Sequence, residues 1–347
     1  MISFKTYTIA LLIIIGLFFI PLLVLDLKLD SLTGDLTRIG KFSENEYGWR
    51  MKSFQLAEET ELKGDIKQYY DVIILGDSFS HNPSSWVTIL SQSTSLKVGL
   101  FEVNDYLDVF DFIKRLKHNK NLPRIFIYQS VERKLKERLK KYNECPLKKS
   151  YYSNNLSAIE YSTNDIEVIP YFLNRRIRID DLGYTLKYVQ ANLLAEHGQV
   201  NQFKLKNASL FSNLKSDNIL VFSGDLETLN WTNKDWVKIK CNALQVQNYI
   251  NETTLTDFVF LVAPDKTTVY KKYIDKNNIS GSHLEVLSLD IMLNFIRLDD
   301  FLIKKIEQGE VDIYWPNDTH WSYRGHQLVA ENVIRYLTNK KLIKKAN

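Results

Sequence analysis

Cysteine, proline and glycine are all scarce, with 2, 7 and 13 residues respectively in a chain of 347. Two cysteines, Cys145 and Cys241, exclude a disulfide-dense scaffold, and neither sits in a CxxC or Cys/His metal pattern. So little glycine and proline excludes a collagen-like or low-complexity chain. An excess of one charge is missing as well. The 45 basic residues stand against 41 acidic ones, a net +4 that is too balanced to predict nucleic-acid binding. No internal repeat is present. What remains is 45% hydrophobic residues and length enough for one large domain or two modest ones. The mean hydropathy of -0.23 reads as soluble, but it averages over a very uneven distribution.

The unevenness lies at the N-terminus. Tyr7 to Leu25 (YTIALLIIIGLFFIPLLVL) carries no charge over 19 residues. A helix of that length reaches ~28 Å, close to the ~30 Å hydrocarbon core of a bilayer. Lys5 precedes the run and Asp26 follows it, an asymmetry that keeps the N-terminus cytoplasmic. The run exceeds a signal-peptide apolar region, and Leu25-Asp26-Leu27 offers no small-x-small cleavage site. The expectation is an uncleaved signal anchor over residues 1–28, making a single-pass protein of the cytoplasmic (inner) membrane. Residues 29–70 read as a polar, glycine-broken juxtamembrane connector, and 71–347 as a domain on the periplasmic side.

Within that domain, Asp71-Val-Ile-Ile-Leu-Gly, Arg124-Ile-Phe-Ile-Tyr-Gln, Asn218-Ile-Leu-Val-Phe-Ser and Asp257-Phe-Val-Phe-Leu-Val-Ala-Pro are short non-alternating apolar runs. Such runs suit central strands of a parallel sheet covered on both faces. Helical spacing predicts helices over 84–93, 109–117, 236–250 and 325–337. Strand–helix alternation therefore predicts an α/β fold, a doubly wound, mostly parallel sheet with helices on both faces, plus the one N-terminal transmembrane helix. The alternation lapses over about 134–216, which reads as an insertion or cap with its own helix near 182–196.

Two segments carry chemistry. Gly76-Asp77-Ser78-Phe79-Ser80 follows a strand directly. A serine at the carboxyl end of a parallel strand points into the crevice where open α/β sheets bind ligands. There its own amide can hold an oxyanion, aided by the following helix; the bland reading is that Asp77 and Ser78 merely cap that helix. The second segment, Tyr314-Trp-Pro-Asn-Asp318-Thr-His320-Trp321-Ser-Tyr-Arg-Gly325-His326, precedes the last helix. In an extended loop, Asp318 can bond one ring nitrogen of His320 and leave the other for a nucleophile, which a serine hydroxyl requires.

Together these segments resemble the SGNH (GDSL-type) hydrolase superfamily, and more narrowly its polysaccharide O-acetyltransferases of the alginate acetylation type. Four stretches carry the narrower likeness: GDSFS at 76–80, QSVER at 129–133, PDKTTVY at 264–270 and YWPNDTHWSYRG at 314–325. The order departs from the acetyltransferases, because the serine segment comes first here, as in ordinary SGNH hydrolases. The Asp-x-His spacing nevertheless follows the acetyltransferases.

The resemblance implies Ser78 as nucleophile, His320 as general acid/base and Asp318 as its orienter, with no cofactor or metal. It implies a polysaccharide acceptor and a membrane-bound O-acyltransferase partner supplying the acetyl group. The superfamily's oxyanion Gly and Asn fall nearest Gly99 and Asn104. Arg133 is read as lining the crevice or as a loop-supporting ion pair, Lys266 as structural or solvated. Trp321 and Tyr323 are read as stacking on sugar or as packing, and His326 as a residue of the last helix's first turn. An esterase using the same triad, and a binding or assembly protein that kept only the fold, are the competing expectations. A Cys145–Cys241 disulfide is left open, since spacing cannot show that the two meet.

Overall fold

The computed structural model describes residues 34–51, 62–81, 85–106, 108–139, 199–275, 282–289 and 292–344, together with scattered positions between 4 and 17. Five strands form the central sheet: β1 (Val72–Gly76), β2 (Val98–Glu102), β3 (Ile125–Val131), β6 (Asp257–Ala263) and β7 (Phe295–Ile296). Their order is β2-β1-β3-β6-β7, and every pairing is parallel. Strand alternation sends Val72 and Ile74 to one face and Ile73 and Leu75 to the other, and all four are fully buried. A strand buried on both faces needs a continuous apolar run, which is why these segments lack the polar alternation of a half-exposed sheet.

Helices cover both faces. α2 (Trp86–Thr94), α5 (Leu298–Glu307) and α6 (Tyr323–Asn339) contribute Trp86, Leu302 and Leu328 to one core. α3 (Val109–His118) and α4 (Asn233–Thr253) contribute Phe112 and Trp236 to the other. Their starts are written locally. Asp108 accepts from the Asp111 amide at 2.8 Å, and Thr232 and Asp235 form a reciprocal capping box on α4. The doubly wound α/β expectation thus holds.

Three details differ from the sequence reading. Asn218–Phe222 (β5) is not in the central sheet; it pairs antiparallel with β4 (Val200–Lys204) in a separate two-stranded sheet. An apolar run announces burial but not which sheet buries it. Second, β2 and α5 were not anticipated. Third, residues 34–48, read as connector, pack onto the domain: α1 (Asp35–Gly40) sets Leu36 with Tyr47, Val200 and Leu220 in a small third core.

Among the described residues no helix is long and apolar enough to cross a membrane. The expected anchor over Tyr7–Leu25 falls mostly outside the described residues; Tyr7, Leu12, Ile13 and Leu17 are helical and exposed. The helix expected near 182–196 also lies outside them. Cys241 is buried and disulfide-bonded, while Cys145, the other cysteine of the sequence, lies outside the described residues.

The chain passes from β1 out to β2 and returns to the opposite side of β1 as β3. That reversal opens a crevice at the carboxyl ends of β1 and β3, the place where ligands bind in open α/β sheets.

Candidate active site

All four stretches singled out in the sequence converge on this crevice. Ser78 stands in the turn after β1, Glu132 and Arg133 follow β3, and Asp265 and Lys266 follow β6. The loop before α6 lies across them: the Tyr314 hydroxyl donates to Pro264 O at 2.6 Å.

The turn that presents Ser78 is tied down from below. The Asp77 amide and the Ser80 hydroxyl both donate to Gln129 Oε1, at 2.9 and 2.8 Å. Asp77 accepts from Gln129 Nε2 at 2.9 Å and from the Val131 amide at 2.7 Å, and pairs with Arg138. Burial would raise the Asp77 carboxyl, but the Arg138 guanidinium and these donors hold it below the usual carboxylate range. A Cβ on Gly76 would meet Ser80 Oγ at 2.7 Å and Gln129 Oε1 at 2.8 Å, so only glycine admits this knot. Ser78 itself is exposed, and its amide has no hydrogen-bond partner among the described residues. The turn spans 78–80, whereas α2 begins only at Trp86, so the expected support of Ser78 by a helix N-terminus is absent.

The loop 314–322 supplies the base. His320 Nε2 lies 2.8 Å from Ser78 Oγ, and His320 Nδ1 lies 2.7 Å from Asp318 Oδ1. The same Asp318 oxygen accepts the His320 amide at 2.9 Å, which fixes the Asp-x-His geometry within the loop. Ser322 caps α6 by accepting from the Gly325 amide at 3.2 Å. A Cβ at Gly325 would sit 2.1 Å from Ile313 O, so a glycine is required for the helix to close against the loop. Phe79 packs its ring 4.8 Å from the imidazole.

Two positioning groups support the base: Lys266, read from the sequence as structural or solvated and found structural, and Asp35, which the sequence reading missed. Lys266, 1% exposed, donates to Trp315 O at 2.8 Å and to Pro316 O and Asp318 O at 3.1 Å, clamping the loop that holds the acid and base. Burial lowers its pKa to about 8, against the pull of Asp318 and Asp35. The other is Asp35, from the segment read as connector. Its amide donates to Asp318 Oδ2 at 3.1 Å, and its carboxylate accepts from the Thr319 amide at 2.9 Å and hydroxyl at 2.7 Å. Asp35 Oδ2 stands 4.0 Å from His320 Nδ1. The only sequence signal would have been a charged residue after Gly34, which is far too common to single out.

These neighbours set the titration. Burial opposes the imidazolium, but the Asp318 hydrogen bond and the Asp318 and Asp35 charges outweigh it, so His320 titrates above the ordinary histidine value. Asp318 is held below the carboxylate range, its burial outweighed by the His320 hydrogen bond and charge. Burial and the Asp318 charge push Asp35 up to about 6. Asp35, Asp318 and His320 bring one nitrogen or oxygen atom each within 4.8 Å of one another, and these atoms are engaged in the hydrogen bonds just described.

The remaining candidates separate. Gly99 is a packing residue of β2, where a Cβ would collide with the Tyr70 ring at 2.8 Å. That ring belongs to the core on the face opposite Phe79 and Trp321, so Gly99 does not join the site. Asn104 is exposed and donates through Nδ2 to Glu102 at 2.8 Å; Glu102 in turn faces His81 at 3.4 Å. None of its hydrogen bonds among the described residues reaches Ser78.

Arg133 lies over the Phe79 ring, 5.9 Å from its centroid, but its Nη1 is held by Asp265 at 2.8 Å and Asp225 at 3.1 Å. It is a buttress bound by two fully buried acids rather than a free substrate ligand. Glu132 is not its ion-pair partner: buried, and raised by that burial to about 7, it accepts from the Asp265 amide and the Thr268 hydroxyl. Trp321 is fully buried between Phe79, Tyr314 and His326, so sugar stacking is excluded for it. His326 is a core residue of the first turn of α6, lowered to about 3 by burial, and its Nδ1 faces the Trp86 amide at 3.4 Å.

No family model, curated protein or solved structure matches this chain.

Proposed function

We propose that the protein is a serine-dependent O-acyltransferase, with Ser78 as nucleophile, His320 as general acid/base and Asp318 as its orienter. The observation that carries this reading is the continuous chain Ser78 Oγ–His320–Asp318, with links of 2.8 and 2.7 Å, at the carboxyl edge of the parallel sheet.

In the first half-reaction Ser78 Oγ attacks the acyl carbonyl and its proton passes to His320 Nε2. The donor's leaving oxygen or sulfur takes that proton as the tetrahedral intermediate collapses to an acyl-serine. In the second, a sugar hydroxyl attacks the acyl carbon, His320 takes its proton and returns it to Ser78 Oγ. The unpartnered Ser78 amide is one donor available to the oxyanion. Asp318, kept ionised, steadies the imidazolium through both halves.

The resemblance to the alginate-type acetyltransferases supports acetyl as the acyl group and an envelope or exported polysaccharide as acceptor. The uncharged run Tyr7–Leu25 supports a membrane-tethered, periplasmic form, to which a membrane-bound O-acyltransferase would deliver the acetyl group. One observation favours a second reading: Ser78 is exposed, which admits water as acceptor and therefore an esterase.

The purified protein, incubated with 4-nitrophenyl acetate and a polysaccharide panel, distinguishes these. Transfer predicts acetylated polysaccharide from the wild type and none from Ser78→Ala. Acetate release unaffected by any polysaccharide would favour the esterase, and equal acetylation by both proteins would sink the serine mechanism.

A further inference from the structure

Residues 314 and 321 form a bridge pair, and both Tyr314 and Trp321 are fully buried. One residue further in, the Trp315 amide donates to His320 O at 3.1 Å, so the backbone joins the two directly. Trp315 is not alone there. Trp49 meets it edge-to-face at 4.4 Å, and Tyr323 at 5.1 Å, although the three come from the N-terminal segment, the loop and the start of α6. None of the three rings is fully buried, and they line a cavity of about 370 Å³.

The rim of that cavity is polar. Arg324 pairs with Glu310, its Nε donating to Oε2 at 2.8 Å, and Gln327 Oε1 lies 3.4 Å from Arg324 Nη1. A pyranose ring presents an apolar C–H face bordered by hydroxyls. Aromatic walls match the face, and a guanidinium, a carboxylate and an amide match the hydroxyls. The size is at the lower end of ligand pockets, which suits a short stretch of sugar chain.

We propose that this cleft is an acceptor subsite holding a pyranose unit of a carbohydrate chain, linked to His320 through the backbone bond of its wall residue Trp315. The assignment rests on the acyl-transfer reading for its role, though not for the binding it requires. Trp315 then has two duties, since its carbonyl is also clamped by Lys266. Movement of the cleft wall by a bound sugar would be felt directly at the base.

The test uses the full chain with Ser78→Ala, so that nothing turns over. Intrinsic tryptophan fluorescence is titrated with a neutral probe, cellohexaose, and an acidic one, hexagalacturonate. Saturable change with at least one probe is expected, weakened at least about tenfold by Trp49→Ala and several-fold by Gln327→Ala, with circular dichroism confirming the fold. Absence of saturation by both probes, or binding unchanged in both folded variants, would overturn the subsite. The two readings fail separately. A wild type that acylates Ser78 but binds neither probe loses the subsite alone, and one that binds sugar without acylating Ser78 loses the transferase alone.

Discussion

His320 stands between two carboxylates that differ in kind. Asp318 bonds Nδ1 directly and is ionised throughout the working range, whereas Asp35 sits 4.0 Å away and titrates near 6. Above that value both charges favour the imidazolium, which places the acid limb of activity above the ordinary histidine value. Asp35→Asn removes one negative charge. The imidazolium is then less favoured, the neutral base persists to lower pH, and the acid limb of kcat/KM moves down by about one pH unit. A pH profile of ester hydrolysis checks the direction; an unmoved limb would mean that Asp35 holds Thr319 without reaching the base electrostatically.

The linkage sign for stability also follows. The Asp35 pKa is raised from 3.8 in the unfolded chain to about 6, so its stabilising contribution is present below about 4 and is lost as pH rises through 6.

At the scale of elements, the site is three strand ends, one loop and one lysine that joins them. Lys266 opens the short helix Lys266–Tyr270 after β6 and satisfies three carbonyls of the loop between Trp315 and Asp318. Lys266→Met keeps the apolar stem but leaves buried carbonyls unpaired, a loss of about 2–4 kcal/mol. Thermal denaturation should show it as a lowered Tm, and kcat should fall more than KM rises, because the loop carries the base. A variant with wild-type kcat would show that the loop holds its shape without the clamp.

This is also where sequence legibility ended. Gly-Asp-Ser after a strand and Asp-x-His before a helix are contiguous, so local spacing reveals them. The lysine's partners lie about fifty residues on in the chain, and Asp35 meets Thr319 across 284 positions. Arg138 likewise reaches Asp77 beneath the nucleophile across 61 positions. Only the fold brings such pairs together. For the same reason the apolar run at 218–222 announced a strand but not its partner. Gly99 drew notice by its place in the order of motifs, although its role is to make room for the Tyr70 ring.

At the scale of the whole molecule, the doubly wound sheet does two things at once. Its all-parallel order aims the carboxyl ends of β1, β3 and β6 at one edge, and its reversal at β1 opens the crevice there. The N-terminal segment completes the edge. α1 packs against β4 and β5 while its first residue bonds the Asp318–Thr319 turn beside the base.

The central claim is that Ser78 carries the acyl group between donor and acceptor. Rapid quenching of the protein with 4-nitrophenyl acetate, followed by peptide mass spectrometry, tests it most directly. One acetyl group on the Ser78 peptide is expected, absent in Ser78→Ala and formed much more slowly in His320→Ala. An unmodified Ser78 peptide throughout turnover, or an acetyl group on another side chain that turns over at the catalytic rate, would contradict it.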